Sequence, residues 1–115
     1  MQEAHEVTDF YKNNQAKESL QNAAQLAKAL GDANRLRILR CLGSERQSVS
    51  ALVEQLDLSQ PLVSHHLREL KRLLLVIVER QGPFVYYSLN DPRVLDVLDQ
   101  LEQLAQLVLD KRSNL

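Results

Sequence analysis

A mainly α-helical domain carrying one small β-hairpin is the fold class this sequence predicts, and three observations predict it. Apolar residues recur at helical spacing in five segments, and the pattern turns β-branched and aromatic for one stretch around Gly82-Pro83. The chain has 115 residues, of which 44% are hydrophobic and 25% charged, enough for one core and too few for two. No apolar run approaches the roughly 20 residues that span a bilayer, so no membrane partner is expected. Met1 to Phe10 holds the acids Glu3, Glu6 and Asp9 and no apolar core, unlike a signal peptide, which points to a cytoplasmic address. The single cysteine, Cys41, excludes an internal disulfide and an all-cysteine zinc site. Residues 1–15 are expected to form a flexible N-terminal arm and residues 16–112 the folded domain.

The elements follow in order. Leu20, Ala23, Ala24, Ala27 and Leu30 recur at helical spacing over Ala16 to Leu30, and small alanines on such a face permit close approach of a partner helix. Gly31-Asp32 interrupts, with Asp32 placed to cap a second helix carrying Leu36, Ile38, Leu39 and Leu42; Gly43 is expected to close it. Ser48 is placed to cap a short third helix, Val49 to Leu56. Asp57-Leu58-Ser59 makes a turn, Ser59 caps a fourth helix, and Pro61 is tolerated because first-turn amides have no helical acceptor. That helix carries Leu62, Val63, Leu67 and Leu70, and extends toward Leu74. Two short helices joined by three residues are a helix-turn-helix arrangement. Leu75 to Gln81 and Phe84 to Leu89 read as the two strands of a hairpin, and Asp91 with Pro92 opens a last helix. The last helix has an apolar stripe too wide for one small core, which predicts burial against its own domain and against a second copy.

The chain holds 14 basic and 15 acidic residues, a balance that argues against an anionic partner until it is divided by segment. Residues 31–46 and 60–80 each carry net +2, and acids collect toward the ends. A local patch, not the total, is what an anion feels.

Three ordered blocks then resemble the ArsR/SmtB family of small bacterial winged helix-turn-helix repressors. They are Leu30-Gly31-Asp32-Ala33-Asn34-Arg35-Leu36-Arg37-Ile38-Leu39, Leu58-Ser59-Gln60-Pro61-Leu62-Val63-Ser64-His65-His66-Leu67 and Gln81-Gly82-Pro83-Phe84-Val85-Tyr86-Tyr87-Ser88-Leu89. The resemblance runs from about Leu26 to the end of the chain. It implies a winged helix-turn-helix with a five-helix core, a homodimer held by the first and last helices, and double-stranded operator DNA as partner, released when an effector binds. The dimer interface is then expected at Leu20, Ala23, Ala24, Ala27, Leu98, Leu101, Ala105 and Val108. The family commonly has a glycine before the first wing strand, where this chain has Leu73-Leu74-Leu75. Either Leu74 adopts a strained backbone or the helix ends differently.

In a helix-turn-helix the second helix enters the major groove with its N-terminal residues toward base edges. Ser59, Gln60, Pro61, Ser64 and His65 are therefore the expected readers; glutamine can bond adenine bidentately, and a hydroxyl or imidazole can meet several bases. Arg68, Lys71 and Arg72 are expected on phosphates, and Arg80 and Gln81, beside the wing turn, on the adjacent backbone or minor groove. Arg35, Arg37 and Arg40 read instead as a solvated face with intrahelical pairs. His66 is expected to pack against the hairpin, and Tyr86 and Tyr87 to be strand and core residues.

The family's metal sites, as the resemblance implies them, use cysteines at the start of the third helix or His and acids on the last. Here Ser48-Val49-Ser50 replaces the cysteines, and Pro92 to Lys111 contains no His, Arg93 and Leu104 standing where imidazoles would be expected. No metal or other cofactor is expected. His5 among Glu3, Glu6 and Asp9 could supply ligands, but a lone His among acids reads as a solvated arm. Cys41 reads as a small packed hydrophobe, with oxidant sensing through an intersubunit bond as the alternative, given Arg37 and Arg40 nearby. A small-molecule or redox effector therefore stays open. Two other function classes compete: a winged-helix protein-interaction module, favoured only by the near-neutral charge, and an enzyme, for which there is no phosphate-binding glycine loop and no nucleophile-base pair.

Overall fold

The computed structural model describes the backbone of residues 2–113 and the side chains of residues 12–113. Five helices and one antiparallel hairpin follow in the order α1 (Gln2–Ala29), α2 (Ala33–Ser44), α3 (Val49–Leu56), α4 (Gln60–Arg72), β1 (Val76–Gln81), β2 (Phe84–Leu89) and α5 (Arg93–Ser113). They form two compact units that meet in sequence between Gly31 and Asp32.

The first unit is α1. It starts at Gln2 instead of near Ala16, because no glycine or proline stands between Gln2 and Leu30 to end a helix. Leu20, Ala23, Ala24 and Ala27 are exposed on it, while Ala29 is buried. The side chains of His5, Glu3, Glu6 and Asp9 lie outside the described residues.

In the second unit each helix begins where a short polar side chain can accept from a first-turn amide. Asp32 Oδ1 accepts from the amides of Asn34 and Arg35 (2.9 and 3.1 Å). Ser48 Oγ accepts from Ala51 (3.1 Å) and Ser59 Oγ from Leu62 (3.3 Å). Asp91 Oδ1 accepts from Arg93 (2.9 Å). Asp57, a residue type that tolerates left-handed backbone, turns the chain after α3 at φ 54°. The carbonyl of Leu56, orphaned at that helix end, accepts from Arg37 Nη2 (2.9 Å). α2 runs one residue past Gly43, so this glycine is not the helix stop that the sequence suggested. A Cβ there would stand 2.7 Å from Leu95 Cδ2 and 2.8 Å from Cδ1. Gly43 is the notch into which α5 packs.

The core draws on every element of this unit except β2. Ile38 and Leu39 of α2, Leu52 of α3, Val63, Leu67 and Leu70 of α4, Val76 of β1 and Leu98 of α5 are all almost fully buried. Each such side chain stabilises the fold by about 1.5–3 kcal/mol relative to exposure. Leu98, grouped by the sequence with the dimer stripe, turns inward onto this core. The large apolar side chains that face solvent on α5 are Val97, Leu101, Leu104 and Val108, with Leu107 and Leu109 beside them. The hairpin pairs Val76 with Leu89 through Gln81 with Phe84 around Gly82, whose φ is 59°. Its free edge is extended by Gln47, which exchanges both backbone hydrogen bonds with Tyr87 (2.9 and 2.8 Å).

α4 ends at Arg72, and of the two alternatives for the triple leucine the strained one is adopted: Leu74 sits at φ 59°. Its amide donates to the Lys71 carbonyl (2.9 Å) and that of Leu75 to Leu70 (3.0 Å), the paired bonds that usually end on a left-handed glycine. Asn90 Nδ2 holds the Leu74 carbonyl (2.9 Å). Since the Leu74 side chain is 67% exposed, little packing opposes relief of the strain. Leu74→Gly is therefore expected to raise the unfolding free energy by about 0.5–1 kcal/mol, measured by urea titration. A lower midpoint in the variant would contradict the strain.

Candidate nucleic-acid interface

α4 is amphipathic, and the burial of one side determines what the other presents. Val63, His66, Leu67 and Leu70 point into the core. Across the helix, Gln60, Pro61, His65, Arg68, Lys71 and Arg72 are exposed, with Ser59 just before them and Ser64 half-buried at the margin. The short acceptors and donors thus gather at the N-terminal half, and the cations at the C-terminal half. Gln60 Nε2 donates to Ser64 Oγ (3.1 Å), aligning two of these side chains one turn apart. Arg72 is paired along the helix with Glu69 (3.1 Å). Arg80 and Gln81 are exposed beside the wing turn.

The arginines of α2 are engaged within the protein, more across elements than along the helix as the sequence suggested. Arg37 also donates to Asn34 Oδ1 (3.1 Å), and Arg40 Nη2 contacts Asp99 Oδ1 (2.7 Å) and Glu102 Oε1 (3.2 Å) of α5. Those two acids raise the Arg40 guanidinium above its ordinary range, chiefly through the Asp99 hydrogen bond. Cys41 is half-buried, and the guanidinium groups of Arg37 and Arg40 bond elsewhere. Among the described residues no three His, Cys, Asp or Glu side chains converge on a point that would suit a metal ion.

His66 is the buried polar group of α4, at 4% exposure. Its polar contacts are with the start of α2. Arg35 Nε donates to His66 Nδ1 (3.0 Å), and His66 Nε2 lies 3.8 Å from Asp32 Oδ1. An imidazole that accepts at Nδ1 is the neutral form with its proton on Nε2, facing the carboxylate. Burial pushes this imidazole below its usual range, with Arg35 and His65 acting in the same direction and Asp32 against. Asp32 is itself held low, first by the Arg35 amide. The sequence marks His66 as packed against the hairpin, whereas its polar partners are Arg35 and Asp32 at α2; Arg35 has no local signal, because the two are far apart in the chain.

Comparison with known proteins agrees with this geometry. Residues 30–79 match the helix-turn-helix domain family. The chain is 33% identical over 88 residues to an HTH-type transcriptional regulator of Methanocaldococcus jannaschii, covering 76% of this chain and 99% of that one. It is 38% identical over 92 residues to a transcriptional repressor SmtB homolog of Synechocystis, covering 74% and 70%. It is also similar to the homodimeric winged helix-turn-helix DNA-binding domain of Mb0332 from Mycobacterium bovis, with a TM-score of 0.63 and 28% identity over 83% of this chain and 84% of that one.

The neutral His66 carries a pH signature. Its folded-state affinity for protons is lower than in the unfolded chain, so its contribution is intact above the ordinary value of 6.5 and is lost as pH falls below it. Asp32, shifted in the usual carboxylate direction, acts only in a lower window, below 3.8. Denaturation of the parent and of His66→Asn between pH 7.5 and 5 is expected to show the parent losing its stability advantage as pH falls. A pH-independent difference would contradict the neutral assignment.

Proposed function

The chain belongs to the ArsR/SmtB family of helix-turn-helix transcriptional regulators, and we propose that it is a homodimeric repressor that occupies a palindromic operator in double-stranded DNA. The observation that carries this reading is the outward row on α4, readers at its N-terminal half and cations behind them, fixed by the burial of the opposite side. Gln60, Ser64 and His65 meet base edges; Arg68, Lys71 and Arg72 meet phosphates; Arg80 and Gln81 reach the flanking backbone or minor groove. The protein acts by occupancy, with no chemical step, in the cytoplasm. Among the described residues no helix is long and apolar enough to cross a membrane.

Dimerisation is supported by α5. Val97, Leu101, Leu104 and Val108 repeat at four- and three-residue steps and are 41–59% exposed, a seam that a second copy would cover. Ala105 lies beside it, and α1 offers Leu20, Ala23, Ala24 and Ala27 as a second, small-residue face. A twofold pair presents two α4 helices to half-sites one DNA turn apart, which is why the operator is a palindrome.

The test is binding to a duplex selected by the purified protein from random sequence. Gln60→Ala and His65→Ala are expected to cost about 1–3 kcal/mol on that duplex and little on random DNA, whereas Lys71→Ala lowers both and flattens the salt dependence. Equal loss on both duplexes for Gln60→Ala would remove base reading from this position. Leu104→Glu is expected to halve the mass seen by sedimentation, and a variant that stays dimeric would exclude the α5 seam.

A further inference from the structure

One side chain that no helix period or motif singles out, Arg46, bridges the body of the domain to the outer face of the hairpin. The loop between α2 and α3 runs along the free edge of β2 through the paired Gln47–Tyr87 backbone bonds. Gln47 is buried, and its neighbour Arg46 is exposed on the solvent side of the hairpin edge. There its guanidinium carbon lies 4.4 Å from the centre of the Tyr86 ring on β2. It reaches past that ring to β1, where Nη1 donates to Glu79 Oε2 (3.1 Å) and Nη2 to Gln81 Oε1 (3.0 Å). Glu79 lies opposite Tyr86 and Gln81 opposite Phe84, so these four residues share one face, and the Tyr86 and Phe84 rings are tilted neighbours 6.4 Å apart between centres.

We propose that Arg46 is a positioning residue for the wing, setting the hairpin tip for contact with the DNA that flanks the α4 half-site. The proposal rests on the DNA-binding reading above. Two consequences follow from the geometry. First, a two-stranded hairpin is marginal by itself, and β1 is buried only at Val76, so its tip needs a tether. The forked guanidinium supplies one that no single point charge could, since it bonds two side chains while its carbon sits over a ring. Second, the clamp sets the polarity of the tip. Gln81 gives its amide oxygen to Arg46 and so presents its NH2 group, a donor suited to phosphate oxygens or to the acceptors of the minor groove. The Glu79 carboxylate, which would repel phosphates, is neutralised beside it.

The full-length chain and its selected duplex test this. Arg46→Gln is expected to bind about tenfold more weakly, with hydroxyl-radical protection lost at the outer flanks of the footprint and kept over the two half-sites. Arg46→Lys, which keeps the charge and loses the fork, is expected to lose the flank protection as well. Adding Glu79→Gln to Arg46→Gln is expected to restore part of the affinity by removing the freed carboxylate. Thermal midpoints read alongside separate positioning from folding. Parent-like affinity and flank protection in Arg46→Gln would overturn the proposal. So would uniform loss across the footprint with a lowered thermal midpoint, since that marks a stability role only. If the parent itself selects no duplex, it is the DNA reading that fails, and the clamp's role falls with it.

Discussion

The inner side of α4 is the constraint on which the rest depends. Val63, Leu67 and Leu70 are fixed among Ile38, Leu39 and Leu52, and a helix has one rotation that buries all three. That rotation leaves the row from Gln60 to Arg72 no choice but to face outward. His66 sharpens the arrangement, because a buried imidazole must find its hydrogen bonds, and the donor it finds is Arg35 on α2. Rotating or sliding α4 would strand the buried imidazole. The outward face of α4 is thus specified from behind, by packing and one polar contact.

The same economy governs charge. A count by segment shows two basic stretches, yet the first of them is spent internally: Arg35 on His66, Arg37 on the end of α3, Arg40 on two acids of α5, Arg46 on the wing. On the outward side of α4 and at the wing turn, Arg68, Lys71 and Arg80 are exposed beyond the Arg72–Glu69 pair, as are Lys12, Lys17 and Lys28 on α1 and Lys111 and Arg112 on α5. Exposed pairs such as Arg40–Asp99 stabilise little on their own. Arg40, with Asp99 and Glu102, ties α2 to α5.

Much of this is legible from sequence, and what is legible is local. The caps at Asp32, Ser48, Ser59 and Asp91 accept from amides two or three residues away, so residue type and spacing suffice. The hairpin announces itself by its change of period and Gly82. The leucine at the left-handed position after α4 could be marked as one of two outcomes because the motif there asks for glycine. What escaped depends on which elements meet. Gly43 resembles a helix stop until α5 is seen packing Leu95 against it. Leu98 belongs to a broad apolar stripe whose inward and outward parts separate only against the core. Arg46 lies in a short loop, and its three partners come from strands more than thirty residues on.

The central claim, that α4 reads DNA with the side turned away from the core, is tested most directly by amide chemical shifts during titration with the selected duplex. The account predicts that the largest shifts fall on Ser59 to Arg72 and on the wing turn from Arg80 to Phe84, with Ile38, Leu39 and Leu52 nearly still. Shifts concentrated on the α5 seam, with the amides of α4 unmoved, would contradict it.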